Sequence, residues 1–289
     1  MAAEGIVQQT DTDARRARVH GMWSSVAPSW EAHADYVEER AAGVTEAMLG
    51  RALPAPGERV LELACGPGGA GLAAAALVGP DGVVVLSDVA PAMTEIATAR
   101  AASLGIDNAE ALVLDIEDID QEDASCDVVL CREGLMFAVD PARAAREIHR
   151  VLRPGGRVAI AVWAGREHNP WLSLVFDAVS EQMGRTMPPP GVPTPFSLGD
   201  VAGLEALLSG AGLRHVRITE LPTPLRAGSF EEWWARTSAL AGPLASVLAS
   251  LSEPAKAALQ ERLRARVEPY ATPEGIEIPG LTLIASARR

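Results

Sequence analysis

The chain has 289 residues, 48% of them apolar, which suffices for one α/β domain of common size plus a smaller appended part. Its formal net charge is −13 and Lys256 is its one lysine, so it lacks the dense cationic stripe that neutralises phosphates, and a polynucleotide partner is disfavoured. No apolar run approaches the roughly 18 residues of a membrane span, residues 1–18 are polar and charged without the apolar core of a secretory signal, and Cys65, Cys126 and Cys131 form no Cys-x-x-Cys pair; the expectation is a cytoplasmic protein with reduced thiols, no membrane association and no metal.

Residues 15–52 read as helical, with a break expected at Ala27-Pro28, where proline removes a backbone hydrogen bond. From Arg59 onward strands and helices alternate. Strands are expected at 59–64, 83–88, 110–115, 126–131 and 156–163. These short runs are rich in valine and leucine, as in a parallel sheet covered on both faces. Cys126 and Cys131, five apart on one of these runs, should fall on opposite faces. Helices are expected at 69–78, 91–104 and 141–152. Pro91 and Pro141 suit first helical positions, Asp140 suits an N-cap, and Pro154-Gly155-Gly156 should end the third helix.

Beyond Trp163 the rhythm changes. A helix at 170–184 leads into a proline-rich loop from Pro188 to Pro195. A helix at 200–211, a strand at 214–221, a helical block at 229–268 and a last strand at 281–287 complete the chain. The pattern predicts a Rossmann-like, doubly wound α/β core over residues 53–221, carrying a cap insertion at 165–197. Residues 1–52 would form an N-terminal helical cap segment, 222–280 a helical cap insertion, and 281–289 the last core strand.

Residues 66–71 read Gly-Pro-Gly-Gly-Ala-Gly, a match to G-x-G-x-x-G. Glycines there let a backbone approach a ligand at a helix N-terminus. A dinucleotide would place its pyrophosphate in this loop and its ribose on Asp88. Glu62, in an otherwise apolar strand just before the loop, would repel a pyrophosphate. It suits a cofactor that carries an ammonium and a sulfonium.

Val60 to Gly69 resembles motif I of the class I S-adenosylmethionine-dependent methyltransferases. Later segments are similar to that family's motifs in order: Ser87-Asp88-Val89 with Pro91 and Met93, then Leu114-Asp115-Ile116, then Asp127 to Cys131, then Val151 to Gly156. The resemblance is closest to the UbiE/COQ5-like, small-molecule branch and loosens beyond Trp163. It implies a seven-stranded sheet of the methyltransferase type, S-adenosyl-L-methionine as cofactor, and methyl transfer to oxygen or carbon of a small, apolar or aromatic acceptor. A nicotinamide-dependent dehydrogenase and a non-catalytic adenosyl-ligand-binding protein remain as alternatives.

The resemblance also implies roles. Asp88 would accept hydrogen bonds from the ribose hydroxyls, or else cap the following helix. Asp115 would accept from the adenine amino group, or else belong to a solvated acidic run over 115–123. Val89, Met93 and Ile116 would wall an adenine slot, or else be core. Glu62 would meet the methionine amino group or brace the loop. Ala64, Gly66, Gly68 and Cys131 complete the cofactor set.

Cys131-Arg132-Glu133-Gly134 follows the fourth strand, where donor and acceptor should meet. It lacks the Asn/Asp-Pro-Pro-aromatic motif of enzymes acting on nucleobase or protein amide nitrogens. Arg132 would bind an acidic substrate group or pair with Glu133. His33, His168 and Glu133 are candidate bases, while His149 reads as a surface residue. Residues 53–136 contain no Phe, Tyr, Trp or His. The aromatics therefore gather on the expected acceptor side, where Trp23, Trp30 and Phe137 are candidates to grip a flat or apolar ligand.

Overall fold

The computed structural model describes the backbone of residues 2–189 and 191–289, and their side chains apart from residues 2–13, 243 and 246. The reading of residues 1–18 as lacking a secretory core falls mostly outside the described side chains. In chain order the first half comprises α1 (Ala2–Ala32), α2 (Ala34–Ala52), β1 (Arg59–Leu63), α3 (Gly69–Val78), β2 (Val83–Asp88), α4 (Pro91–Ser103), β3 (Ala109–Val113), β4 (Cys126–Arg132), α5 (Pro141–Val151) and β5 (Leu152–Trp163). There follow α6 (Pro170–Met183), α7 (Val201–Gly210), β6 (Arg214–Pro222), β7 (Leu225–Ala227), α8 (Phe230–Leu240), α9 (Pro243–Ser250), α10 (Glu253–Val267), β8 (Ala271–Thr272), β9 (Gly275–Ile278) and β10 (Leu281–Arg288).

Seven strands form one sheet in the order β3-β2-β1-β4-β5-β10-β6. The β1–β5 neighbours pair in parallel, and β10 runs antiparallel between β5 and β6. This is the Rossmann-like, doubly wound arrangement that the sequence predicts. The chain winds outward from β1 to β3, then returns to β4 on the other side of β1. That reversal opens a crevice at the carboxyl ends of β1 and β4.

Alternation along the strands sorts the core into two faces. Leu61, Val85, Val129 and Ile160 pack with α5 and α7, while Val60, Val84, Val128 and Ala159 pack with α2 and α3. Asp140 caps α5 as its sequence suggests, accepting from the Arg143 N–H. Of the segment 1–52 expected as a cap, α2 packs on the sheet itself. Val44, Met48 and Ala52 meet Ile284 and the small side chains of Ala159 and Ala161. Arg157 on β5 binds the end of α2 by donating to the Ala52 and Leu53 carbonyls, and it also pairs with Glu58.

Several expectations need correction. α1 runs through Pro28, and the chain breaks at His33. Val26 and Ala27 are buried against Met93 and Ile96 of α4. Burial on that scale is worth a few kcal/mol, comparable with the ~3 kcal/mol that a mid-helix proline costs. Cys126 and Cys131 enter the same core cluster, because the β4–β5 register shifts between Cys126 and Val128. His149 is half-buried against Gly212, and burial together with Arg289 and Arg214 holds its imidazole below the usual value. Finally, residues 222–280 are not wholly helical. β7, β9 and β8 form a small antiparallel sheet, with strands of two to four residues that are too short to leave a periodic signal.

The packing of α2 gives a test. Met48 is fully buried beneath the sheet. Met48→Ala should lower the unfolding free energy by about 2–5 kcal/mol in denaturant titration. A loss below about 0.5 kcal/mol would mean that α2 is detachable from the core.

Candidate functional site

The site begins with a carboxylate that never meets solvent. Glu62 on β1 is 1% exposed. It accepts from Ala70 N–H at 3.1 Å and Gly71 N–H at 2.8 Å, two of the free donors at the start of α3. A Cβ at Gly71 would stand 2.6 Å from the Glu62 carboxylate and 2.4 Å from Leu86, so only glycine permits this approach. Glu62 therefore braces the loop from behind and does not line the cleft. Burial pushes its carboxyl up from 4.5 to about 7, against the opposing pull of Arg132 and the loop N–H groups.

The loop itself is pinned to the end of β2. Cys65 N–H donates to the Ser87 carbonyl, and Gly66 N–H donates to Asp88 Oδ2 at 3.0 Å. Asp88 Oδ1 accepts from Ala90 N–H at 2.9 Å. Both Asp88 oxygens are thus held by backbone N–H groups, and the carboxylate retains acceptor capacity for a ligand. Burial raises this carboxyl above its ordinary value, while the N–H groups of Ala90 and Gly66 hold it back. Ala64 and Glu133 adopt left-handed backbone (φ 52° and 57°) where β1 and β4 end. Gly134 lets those ends close together, since a Cβ there would fall 2.4 Å from that of Ala64.

These strand ends floor a cleft enclosing about 940 Å³, its mouth included. Ala64, Gly66, Asp88, Val89, Met93, Asp115 and Ile116 line it, as do the acceptor-side candidates Trp23, Trp30, Arg132, Glu133 and Phe137. Gly68 starts α3 behind the loop. Cys131 is buried in the core, where desolvation pushes its thiol up to about 12 and leaves it inert. His33 bonds the Ser29 carbonyl at the α1–α2 break, and His168 stands exposed beside Glu167; neither lines the cleft.

Arg132 does not pair with Glu133, the protein partner expected of it. It forms a two-pronged pair with Glu38 of α2 at 2.6 and 3.0 Å and also donates to Thr45. Gly69 makes room for this pair, because a Cβ there would lie 2.1 Å from the guanidinium.

Sequence reasoning missed the roof of the cleft. Arg16 and His20, four apart on one face of α1, descend onto the loop after β3. Arg16 binds the Glu117 carboxylate at 2.7 Å, and His20 Nε2 lies 3.4 Å from Asp115. Glu117 is 2% exposed and also receives the Val139 N–H, so it is no solvated member of the acidic run. The available signal was the helical spacing of two basic residues in a segment otherwise read only for its tryptophans. Trp23 meets Trp30 and Phe137 edge-on at 5.9 and 5.0 Å, and Trp30 lies over Gly66. The Trp30 Nε1–H is buried without a partner among the described residues.

Behind these rings lies a second chamber. It shares Trp23, Trp30, Val37, Glu133 and Phe137 with the cleft and extends to Arg40, Trp163, Trp171 and Thr237. The site therefore has an aliphatic, acidic half and an aromatic half that meet at one mouth.

Residues 54–183 match a family model described as a methyltransferase domain. The ubiquinone/menaquinone biosynthesis C-methyltransferase UbiE of Ectopseudomonas mendocina is 35% identical over 126 residues, covering 43% of this chain and 49% of that protein. The demethylmenaquinone methyltransferase of Clavibacter sepedonicus is 38% identical over 107 residues, covering 37% and 42%. The chain spans about half the length of the curated relatives it matches. Among solved structures, the YcgJ protein from Bacillus subtilis shares the fold with a TM-score of 0.57 at 18% identity, covering 85% of this chain and 97% of that one.

The raised carboxyl of Glu62 has a measurable sign. Its folded-state value exceeds the ordinary 4.5, so its contribution to stability is complete below 4.5 and is lost as pH rises to about 7. The stability difference between wild type and Glu62→Gln should therefore move against the wild type across that window, by on the order of 2–3 kcal/mol. Urea unfolding at stepped pH reads this directly. A difference that stays flat with pH would show that Glu62 is ionised throughout.

Proposed function

We propose, from the match of residues 54–183 to a methyltransferase-domain model, that the protein transfers a methyl group from S-adenosyl-L-methionine to oxygen or carbon of a small aromatic or apolar molecule. The observation that carries this reading is the charge of the cleft. Asp88, Asp115, Glu117 and Glu133 line it, and both lining arginines are already engaged by acids, Arg16 by Glu117 and Arg132 by Glu38. Such a lining favours a cationic sulfonium and ammonium and rejects the pyrophosphate of a nicotinamide dinucleotide.

The residues present fit the cofactor. Asp88 retains acceptor capacity for the two ribose hydroxyls. Val89, Met93, Leu114 and Ile116 give an apolar slot beside it, with Asp115 at the rim. The orphaned Trp30 N–H is a donor for the cofactor's carboxylate. When bound, S-adenosyl-L-methionine supplies a methyl group already activated by positive sulfur, so the protein must chiefly align and desolvate. Trp23, Trp30 and Phe137 exclude water from the mouth. Glu133, whose side chain has no hydrogen-bond partner among the described residues, stands there to take a proton from the acceptor. In this reading α1 and residues 222–280 cap the acceptor side. The three free, buried cysteines support a reducing compartment such as the cytoplasm.

Calorimetry with S-adenosylhomocysteine, NAD and NADP side by side tests the proposal. The thioether should bind in the micromolar range and raise Tm, and the dinucleotides should do neither. A Tm shift with NAD and none with the thioether would overturn it. Asp88→Asn, checked for folding because Asp88 also holds Gly66 and Ala90, should weaken thioether binding by about one to two orders of magnitude. Unchanged affinity would reduce Asp88 to a structural acceptor.

A further inference from the structure

The aromatic chamber contains polar groups that the methyl-donor cleft does not use. Arg40 of α2 lies with its guanidinium carbon 4.2 Å from the Trp171 ring centroid and 5.8 Å from that of Trp163. It forms no ion pair or hydrogen bond among the described residues, and its Nε is buried without a partner. The other lining arginine, Arg236, is engaged by Glu232 at 2.6 Å and stacks on Tyr36. Two further buried donors point the same way. Trp163 and Thr237 both line this chamber, and Trp163 Nε1 and Thr237 Oγ1 are buried without partners among the described residues. A buried polar group left unpaired costs free energy. The three residues that carry such groups, from α2, β5 and α8, line one cavity whose other walls include Trp23, Phe137, Met136 and Leu172, together with Glu133.

The platform under Arg40 is rigid. Trp171 donates to Asn169 Oδ1 at 3.1 Å, and the fully buried Asn169 is held in turn by the Ala164 and Leu281 backbone. A guanidinium fixed on an indole face is weakly hydrated and offers its edge to a planar anion. A hydrocarbon or cationic ligand without an acceptor oxygen would leave all three groups unsatisfied. A flat anionic one would satisfy them while its ring fills the aromatic walls.

Accepting the methyl-donor reading, we infer that the acceptor is a planar aromatic molecule bearing an anionic oxygen, carboxylate or phenolate, which Arg40, Trp163 and Thr237 receive at the deep end of the chamber. The opposite end of the ring then lies at the mouth shared with the donor cleft, beside Glu133, so these three groups determine which ring position is presented. They are specificity residues rather than catalytic ones.

The test uses the full chain and simple probes: 4-hydroxybenzoate, its neutral methyl ester, 2-naphthol across its ionisation, and the cation benzamidine. Binding is followed by calorimetry and tryptophan fluorescence, with and without S-adenosylhomocysteine. The acid should bind at least about tenfold more tightly than the ester, and benzamidine should not bind. Arg40→Gln should erase the acid–ester difference while keeping thioether affinity, which serves as the folding control. Tighter binding of naphtholate than naphthol, without preference for the carboxylate, identifies phenolate as the class and also supports the inference.

Thr237→Val and Trp163→Phe separate recognition from packing. Thr237→Val removes an orphaned polar group at nearly constant shape and should leave Tm unchanged or raised, Trp163→Phe also removes ring volume and should lower Tm, and each should weaken the acid a few-fold. A purely structural role predicts a lower Tm with no change in probe affinity. Equal binding of acid and ester together with equal binding of naphtholate and naphthol, or an anion preference that survives Arg40→Gln, overturns the inference. Failure of S-adenosylhomocysteine to bind would sink the methyl-donor reading instead, and the acid–ester ratio measured without it still tests the chamber.

Discussion

The site depends on a buried carboxylate facing the start of a helix. Glu62 supplies to α3 the cap that its own leading residues, Gly68, Gly69 and Ala70, have no side chains to provide. The demand is strict on both sides. The helix must bring glycine at position 71, and the strand must place an acid in a row of apolar residues. With the helix drawn back onto β1, the Cys65–Gly68 turn projects over the strand ends and Gly66 meets Asp88. The loop is thus held by one acid behind it and another in front. The rear acid titrates about 7 because it is desolvated, while the front one retains acceptor capacity for a ligand.

A second device joins the cleft to its surroundings. Arg132 leaves the end of β4, crosses the space opened by Gly69 and locks onto Glu38. This anchors α2 to the floor of the site and neutralises a cation that would otherwise face the ligand. α2 presents its apolar stripe to the sheet and, two residues beyond Glu38, carries Arg40 into the aromatic chamber. One helix therefore belongs to the core, to the cleft and to the chamber at once. α1 plays the complementary part. It sets Arg16 and His20 on the acidic rim and reaches with Trp23 to Gly242 at the end of α8. Charge is sorted by this arrangement, with acids around the cleft and, in the aromatic chamber, a guanidinium without an ion pair among the described residues.

Much of the sheet was legible because its signals are short-range. A strand of four to six apolar residues, a glycine turn and a proline at a helix start are read from neighbours alone, and α3 and β2 fall where the sequence places them. The departures arise where distant packing competes with a local rule. Pro28 is tolerated because α4 lies beneath Val26 and Ala27. Cys126 changes face because β5 slips in register beside it. Glu117 reads as one solvated acid among many until Arg16, 101 residues away, comes down upon it.

The sequence by itself determined the acidic cleft at the strand ends. Its glycines, its strand-end aspartates and its buried glutamate act through backbone conformation and immediate neighbours, which are encoded within a few residues of each other. Tertiary structure alone decided the aromatic chamber. Arg40, Trp163, Trp171 and Thr237 lie on four elements with no common spacing, and Arg132 finds Glu38 across 94 residues of chain. No periodicity can announce such a cavity. Its shape and charge come from where helices settle when their apolar faces are buried, and only that settling shows which charges are neutralised and which remain for a ligand.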